Sequence, residues 1–312
     1  MDKKIRIVSV SLGSAKRNKE FTCSEKGIEI TVERIGTDGD MGKAIEIIQE
    51  LDGHVEAIGL GGIDLYLVAN NKKYLIKDAK KMADAAKITP VVDGSGLKNT
   101  LERHSLMYIA ENNIVDFNGK NVLLVSGLDR FGMAETLPKL GANVVFGDVM
   151  FALSLPLPVK RFSTLKILAA VLLPIVCHLP FKMIYPTGNK QDKQSRRQKM
   201  YHKYFEEADI IAGDFHYISR YMPKELDNKI IITNTTTSDD IEKLFYSNVK
   251  MVISTTPNFD GRSFGTNLCE GIIVALSGKR PEEIEVKEYE EYINKLGWLP
   301  NIIENKKEEK IS

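Results

Sequence analysis

The sequence predicts an α/β protein of two domains: an N-terminal α/β domain, then a parallel-sheet domain, with a C-terminal helix returning to the first. Three observations predict it. Short β-branched runs alternate with amphipathic helical stretches along the chain, the pattern of strands covered by helices. At 312 residues the chain is long enough for two ordinary cores. The stretch Asn121–Asp148, NVLLVSGLDRFGMAETLPKLGANVVFGD, carries the third.

That stretch opens with the apolar run Val122–Val125, breaks at Gly127, resumes as a helical pattern to Gly141, and ends in a second run, Asn143–Phe146, just before Asp148. Strand, glycine turn, helix, strand and terminal acid is how a Rossmann-type dinucleotide unit begins. Asp148 lies 21 residues past Gly127, the interval at which an acid reaches a ribose hydroxyl. If Gly132 is the third glycine of G-x-G-x-x-G, Gly127 is the first and Asp129 holds the middle position, where glycine lets the backbone approach a pyrophosphate. Gly127, Leu128, Asp129, Arg130, Gly132 and Asp148 are therefore the expected contacts of NAD or NADP. An acid facing the ribose would favour NAD by repelling a 2′-phosphate.

The remaining elements follow in order. Residues Ile5–Leu12 read as a first strand, Gly13–Glu20 as a polar loop, and Ile28–Arg34 as a strand alternating Ile28, Ile30 and Val32 with polar neighbours. The loop GTDGDMG, Gly36–Gly42, leads into a helix over Lys43–Leu51 with Ala44, Ile47, Ile48 and Leu51 on one face; a loop there could hold an anion on free N–H groups, although Asp38 and Asp40 oppose it. Ala57–Leu60 is a strand ending in Gly61–Gly62, Tyr66–Ala69 and Tyr74–Ile76 a hairpin, Ala79–Ala86 a helix, Pro90–Val92 a strand, and Leu97–Glu111 an amphipathic linking helix. Beyond the glycine turn, Lys190–Glu207 reads as a charged helix, Ala208–Ala212, Lys229–Thr233 and Met251–Ser254 as strands, and TNTTTSDDIEKL as a helix start near Ser238. Phe264–Leu276 is the returning helix, Pro281–Glu283 a turn, Val286–Leu296 a terminal helix and Glu304–Ser312 a charged tail. Residues 1–114 and 262–312 then form the first domain and 115–261 the second, with an apolar insertion over 150–186.

Composition excludes several classes. A formal net charge of +1 offers no field for nucleic acid. Three distant cysteines, Cys23, Cys177 and Cys269, lack metal-ligand spacing, so no metal is expected and a reducing cytoplasm fits. The N-terminus runs straight into a strand with no signal-peptide core. In the insertion, the apolar run Ile167–Phe181 contains Pro174 and Pro180 and falls short of the roughly 20 residues that span a bilayer. Residues 150–184 are open to three readings: a buried hairpin or homodimer contact, a wall for an apolar substrate, or a peripheral membrane segment with Lys160, Arg161, Lys166 and Lys182 at headgroup level.

On these residues the chain resembles the shikimate and quinate 5-dehydrogenase superfamily, and NVLLVSGLDRFGMAETLPKLGANVVFGD with LPFKMIYPTG is similar to bacterial proteins labelled quinate 5-dehydrogenase. The resemblance implies a Rossmann fold, NAD(P) and oxidoreduction of a small alcohol or carbonyl. The superfamily's N-V-T-x-P-x-K motif does not occur, so its catalytic lysine and partner aspartate are not carried over. Ser9, Ser11 and Ser14 loosely imitate its serine substrate motif. A second resemblance, of VEAIGLGGID and LCEGIIVALSGK to acyl-carrier-protein reductases, implies a fatty substrate. That family's acyl-accepting cysteine falls at Asn267, with Cys269 two residues on.

Cys269 is accordingly a candidate nucleophile, Lys98 a candidate to polarise a carbonyl oxygen and His104 a candidate general acid. Thr255 and Thr256 end a late strand at the carboxyl edge, where open α/β sheets bind ligands, and join the cofactor-contact set. Three functions remain open: an NAD(P)-dependent oxidoreductase, a binding or scaffold protein that kept the fold without the chemistry, and a lipid or acyl reductase at a membrane surface.

Overall fold

A computed structural model describes residues 4–25, 27–70, 72–152, 155–180, 198–234, 236–259 and 262–306. The chain is α/β and divides into two compact units: Met1–Thr100 with Ala170–Lys190 and Phe264–Trp298, and Leu101–Ala169 with Gln191–Ser263 and Leu299–Ser312.

The chain begins with β1 (Lys4–Ser11), β2 (Lys19–Glu25), β3 (Ile28–Gly36), α1 (Met41–Leu51), β4 (Ala57–Gly61), the hairpin β5 (Tyr66–Ala69) and β6 (Lys72–Leu75), α2 (Lys77–Ala83), β7 (Val91–Val92) and α3 (Ser95–Glu111). It continues with β8 (Asn121–Leu124), α4 (Phe131–Lys139), β9 (Asn143–Phe146), α5 (Asp148–Phe151), α6 (Phe162–Val176), α7 (His202–Glu207), β10 (Ile210–Gly213), α8 (Phe215–Tyr221), β11 (Ile230–Thr233), α9 (Ser238–Tyr246) and β12 (Met251–Ser254). A short ribbon, β13 (Asn258–Phe259) and β14 (Arg262–Ser263), precedes α10 (Thr266–Ser277), α11 (Val286–Leu296) and β15 (Asn301–Glu304).

The first unit's sheet runs β2-β3-β1-β4-β7, parallel except for β2. Its central strand β1 is buried on both faces because IRIVSV puts apolar side chains on each. Val8, Val10, Ile58 and Leu60 pack with Ala44 and Ile48 of α1 and Ala79 and Met82 of α2. On the Ile7 side α10 lies so close that a Cβ at Gly271 would stand 2.8 Å from the Ile7 side chain, so glycine is required there.

The second unit's sheet runs β9-β8-β10-β11-β12-β15, parallel except for β15. The chain goes outward from β8 to β9 and returns to β10 on the other side of β8, which makes the carboxyl ends of β8 and β10 the crossover point where such sheets bind ligands. Alternate β8 side chains serve two cores. Val122 and Leu124 pack with Leu106, Ile109, Met133, Leu137 and Leu165, while Leu123 and Val125 pack with Phe151, Phe205, Ile218 and Leu244. Helices thus cover both faces.

Several expectations are corrected. The expected loop Gly13–Glu20 ends in β2, which pairs antiparallel with β3 through Phe21↔Val32 and Cys23↔Ile30; its polar outer face hid its period. The C-terminal segment does not all complete the first unit, because Ile302 and Ile303 pair with β12 in the second unit's sheet. Within Lys190–Glu207 the described residues form a 3-10 turn at Gln198–Tyr201 and then α7; residues 181–197 lie outside the described residues. Of the insertion, the described residues 170–180 belong to the first unit. Among the described residues no helix is long and apolar enough to cross a membrane.

Candidate functional site

In the second unit, β8 runs on into Val125, Ser126 and Gly127 between the ends of its two neighbours. Gly147 N donates to Leu124 O at 2.8 Å and Val125 N to Ala212 O at 2.9 Å. Gly213 supports the close approach with a φ of 124°, a conformation glycine accepts without penalty, and Asp214 N donates to Ser126 Oγ at 3.2 Å. The chain then turns through Gly127–Arg130 into α4.

Asp148, at the start of α5, aims its carboxylate at that turn and accepts from Leu128 N at 2.7 Å and Gly127 N at 3.1 Å. It is buried. Burial pushes its carboxyl up to about 7, opposed by the two backbone hydrogen bonds that favour the ionised form. A Cβ at Gly127 would stand 3.1 Å from Asp148 Oδ2 and 3.0 Å from the Leu165 side chain, so any other residue here would press on both.

Arg130, 5% exposed, is the cation of this edge. It meets Asp214 Oδ2 at 2.8 Å and Glu102 Oε1 at 3.3 Å, and Asp129 Oδ2 stands 3.2 Å from its Nε. Glu102 also accepts from Met133 N in the first turn of α4 at 3.2 Å. Three carboxylates thus converge on one guanidinium. Their field shows at Tyr217, whose hydroxyl is pushed up to about 12 by burial and then by Asp129, Asp214 and Asp148. Asp129, at the position of the middle glycine and expected as a cofactor contact, lies back against Arg130.

The other expected residues divide between the units. Thr255 and Thr256 extend β12 and are buried: Thr255 N donates to Thr233 O at 2.8 Å, Ser105 Oγ to Thr255 O at 3.1 Å, and Thr256 Oγ1 to Asn234 O at 3.0 Å. Gly132 lies inside the first turn of α4, buried, and His104 sits half-buried on the second-unit part of α3. In the first unit, Lys98 is buried, with Nζ 3.4 Å from Asp64 Oδ1. Asp64 follows the glycines that end β4, so strand end and helix start bring a lysine and an aspartate together although no sequence motif pairs them.

Cys269 is corrected as a nucleophile. It is completely buried on α10, and burial pushes its thiol up to about 12, whereas a reactive cysteine needs an exposed, stabilised thiolate. Asn267, at the position of the acyl-accepting cysteine, instead bonds Ser9 Oγ at 2.8 Å and Leu60 O at 2.9 Å. Ser11 Oγ accepts from Arg34 at 2.9 Å and from Gly13 N. Sequence reasoning missed Glu102, Asp214, Arg34 and Asp64 as members of these polar clusters. Asp214 had one signal, an acid directly after a strand ending in glycine; Glu102 reads as one more charge on an amphipathic helix. The expected anion loop before α1 is closed by its own side chain, Asp40 capping Lys43 N at 3.0 Å. At the opposite, amino end of the second sheet a groove of about 420 Å³ mixes Lys120, Lys229 and Lys250 with Asp116, Asp209 and Asp227.

A parallel sheet with its crossover at a glycine turn, and an acid from the next strand held against that turn, define an α/β protein with a Rossmann-like second unit. The chain belongs to the family described as Domain of unknown function (DUF8754), whose model matches residues 96–305; residues 6–93 match a separate Domain of unknown function (DUF8753). No protein of curated function matches. Among solved structures, the chain is similar to an ABC transporter solute-binding protein from Burkholderia multivorans, at 12% identity over 97% of this chain and 99% of that one, with a TM-score of 0.39. It is also similar to a hetero-hexameric glutamate dehydrogenase from Thermus thermophilus, at 12% identity over 95% and 74%, TM-score 0.45. A glucose-galactose binding protein from Geobacillus stearothermophilus matches at 9% identity over 98% and 99%, TM-score 0.38. Likenesses this distant carry no argument about the chain's activity.

Proposed function

We propose that the chain is an NAD(P)-dependent oxidoreductase acting on a small alcohol or carbonyl, of the quinate 5-dehydrogenase-like kind its sequence resembles. The observation that carries this reading is the Asp148 carboxylate, 2.7 Å from Leu128 N at the sheet's crossover point, where an acid of this spacing accepts hydrogen bonds from a ribose. The adenosine half of a dinucleotide would lie against Asp148 and the Gly127 turn, where a side chain in place of the glycine would press on Asp148 and Leu165. The pyrophosphate would sit at the start of α4, against Arg130, and would compete with Asp148 and Glu102 for backbone N–H groups. When bound, the nicotinamide supplies the hydride. The proton is left to the protein, and by its chemistry the Lys98–Asp64 pair of the first unit, 3.4 Å apart, suits that role. Asp148 favours NAD over NADP, and the thioester route of an acyl reductase loses its nucleophile with Cys269 buried.

Lys98→Met tests the role of the pair. Turnover should fall by roughly 100- to 10,000-fold, the contribution of a positioned proton donor, while the cofactor-induced rise in Tm is unchanged. Loss of cofactor binding together with turnover would contradict it.

One observation favours a second reading, a binding protein without chemistry: Gly127, Leu128 and Met133 already donate to internal carboxylates, so the donors for a pyrophosphate are engaged. It predicts no response to NADH or NADPH.

A further inference from the structure

Helix α6 is apolar on two sides. Leu165, Ala169, Leu173 and, just beyond it, Cys177 are buried at four-residue spacing. Ile167, Val171 and Ile175 repeat the same spacing on the opposite side and are 66%, 58% and 60% exposed. Ala170, Pro174 and His178 on that side are exposed as well, and Leu155 and Leu157, just upstream in the chain, are 47% and 60% exposed. Scattered apolar residues are normal on a surface, but a continuous stripe three turns long needs a partner.

Charge selects the partner. No Asp or Glu occurs between Asp148 and Asp192, while Lys160, Arg161, Lys166, Lys182 and Lys190 fall in that interval. Of these, Lys160 and Arg161 are exposed directly before α6 and Lys166 within its first two turns. A subunit contact has no need to exclude carboxylates over so long a stretch; an anionic surface does. With 15 residues and Pro174 inside, α6 is too short to span a bilayer but long enough to lie in the headgroup boundary with its apolar stripe down.

We propose that α6 is a reversible docking surface for a bilayer bearing anionic lipid, Ile167, Val171 and Ile175 entering the acyl boundary and Lys160, Arg161 and Lys166 contacting headgroups. The inference is independent of the chain's catalytic reading.

Flotation with vesicles of phosphatidylcholine alone and of phosphatidylcholine with phosphatidylserine tests it. The chain should bind the anionic vesicles on the order of 100-fold more tightly, from three basic residues, with binding weakened by salt. Val171→Asp with Ile175→Asp should abolish flotation with an unchanged circular dichroism spectrum. Should that variant fail to fold, Lys160→Glu, Arg161→Glu and Lys166→Glu together keep the stripe and should remove the preference for anionic vesicles. Absence of wild-type flotation with anionic vesicles would overturn the proposal. So would a wild-type dimer in sedimentation that Val171→Asp splits, which would make the stripe a subunit interface.

Discussion

Arg130 shows how a single residue sets the character of the second sheet's crossover edge. Glu102, Asp214 and Asp129 all gather around its buried guanidinium. Arg130→Met should destabilise the chain by about 3–5 kcal/mol, the usual cost of leaving buried partners uncompensated, read as a lower urea midpoint. An effect below about 1 kcal/mol, the level of exposed pairs, would mean that water already screens the cluster. Cys269 gives the opposite lesson. Its place two residues past the acyl-accepting position made it a candidate nucleophile, whereas its buried thiol, pushed up to about 12, should resist iodoacetamide at neutral pH until the chain unfolds. Labelling in the native state would restore it as a candidate. In the two polar clusters, Gly127, Asp148 and Lys98 carried local signals in the sequence, as a glycine turn, an acid after a strand and a lysine at a helix start. The Lys98–Asp64 and Arg130–Glu102 pairs carried none, since each joins residues about 30 apart in sequence whose meeting depends on tertiary packing.

At the scale of elements, strands and helices with an unmixed apolar period were readable nearly to their ends: α1, α3, β11, α9 and β12 lie within a few residues of their expected positions. The misses have physical reasons. Strand β2 is an edge strand with one exposed face, and β15 is four residues after a helix, too short to show a period. Helix α10 depends on a group invisible to periodicity. Glu270 is buried and accepts from Gly94 N at 2.6 Å and Tyr289 Oη at 2.9 Å, tying α10 to α11 and to the turn before α3. Burial pushes the Glu270 carboxyl from 4.5 up to about 7. Between those values the folded chain holds a proton that the unfolded chain has released, so this group's contribution is full below about 4.5 and is lost as pH rises to about 7. Glu270→Gln lacks that dependence, so the stability of the variant relative to wild type should climb over the same window, measured by urea unfolding at several pH values. A difference independent of pH would place the proton elsewhere.

For the molecule as a whole, the α/β class and the Rossmann-like second unit were written in alternating strand and helix periods, whereas the division of the chain was only partly so: α10 and α11 were expected in the first unit, but the return of β15 to the second sheet was not. Segments of both units interleave in sequence, and the C-terminus visits the first unit as α10 and α11 before β15 returns to the second sheet. Such a path leaves no composition shift at its crossings. The function rests on whether the crossover edge of the second sheet accepts a dinucleotide although its own carboxylates hold the turn. The most direct measurement is a thermal-shift titration with NADH and NADPH on wild type and Asp148→Asn. The dinucleotide reading predicts a Tm that rises with NADH, by the equivalent of about 2.7 kcal/mol at a hundred times Kd, less with NADPH, and a weakened NADH response in Asp148→Asn. An unchanged Tm at millimolar concentrations of both cofactors would contradict it.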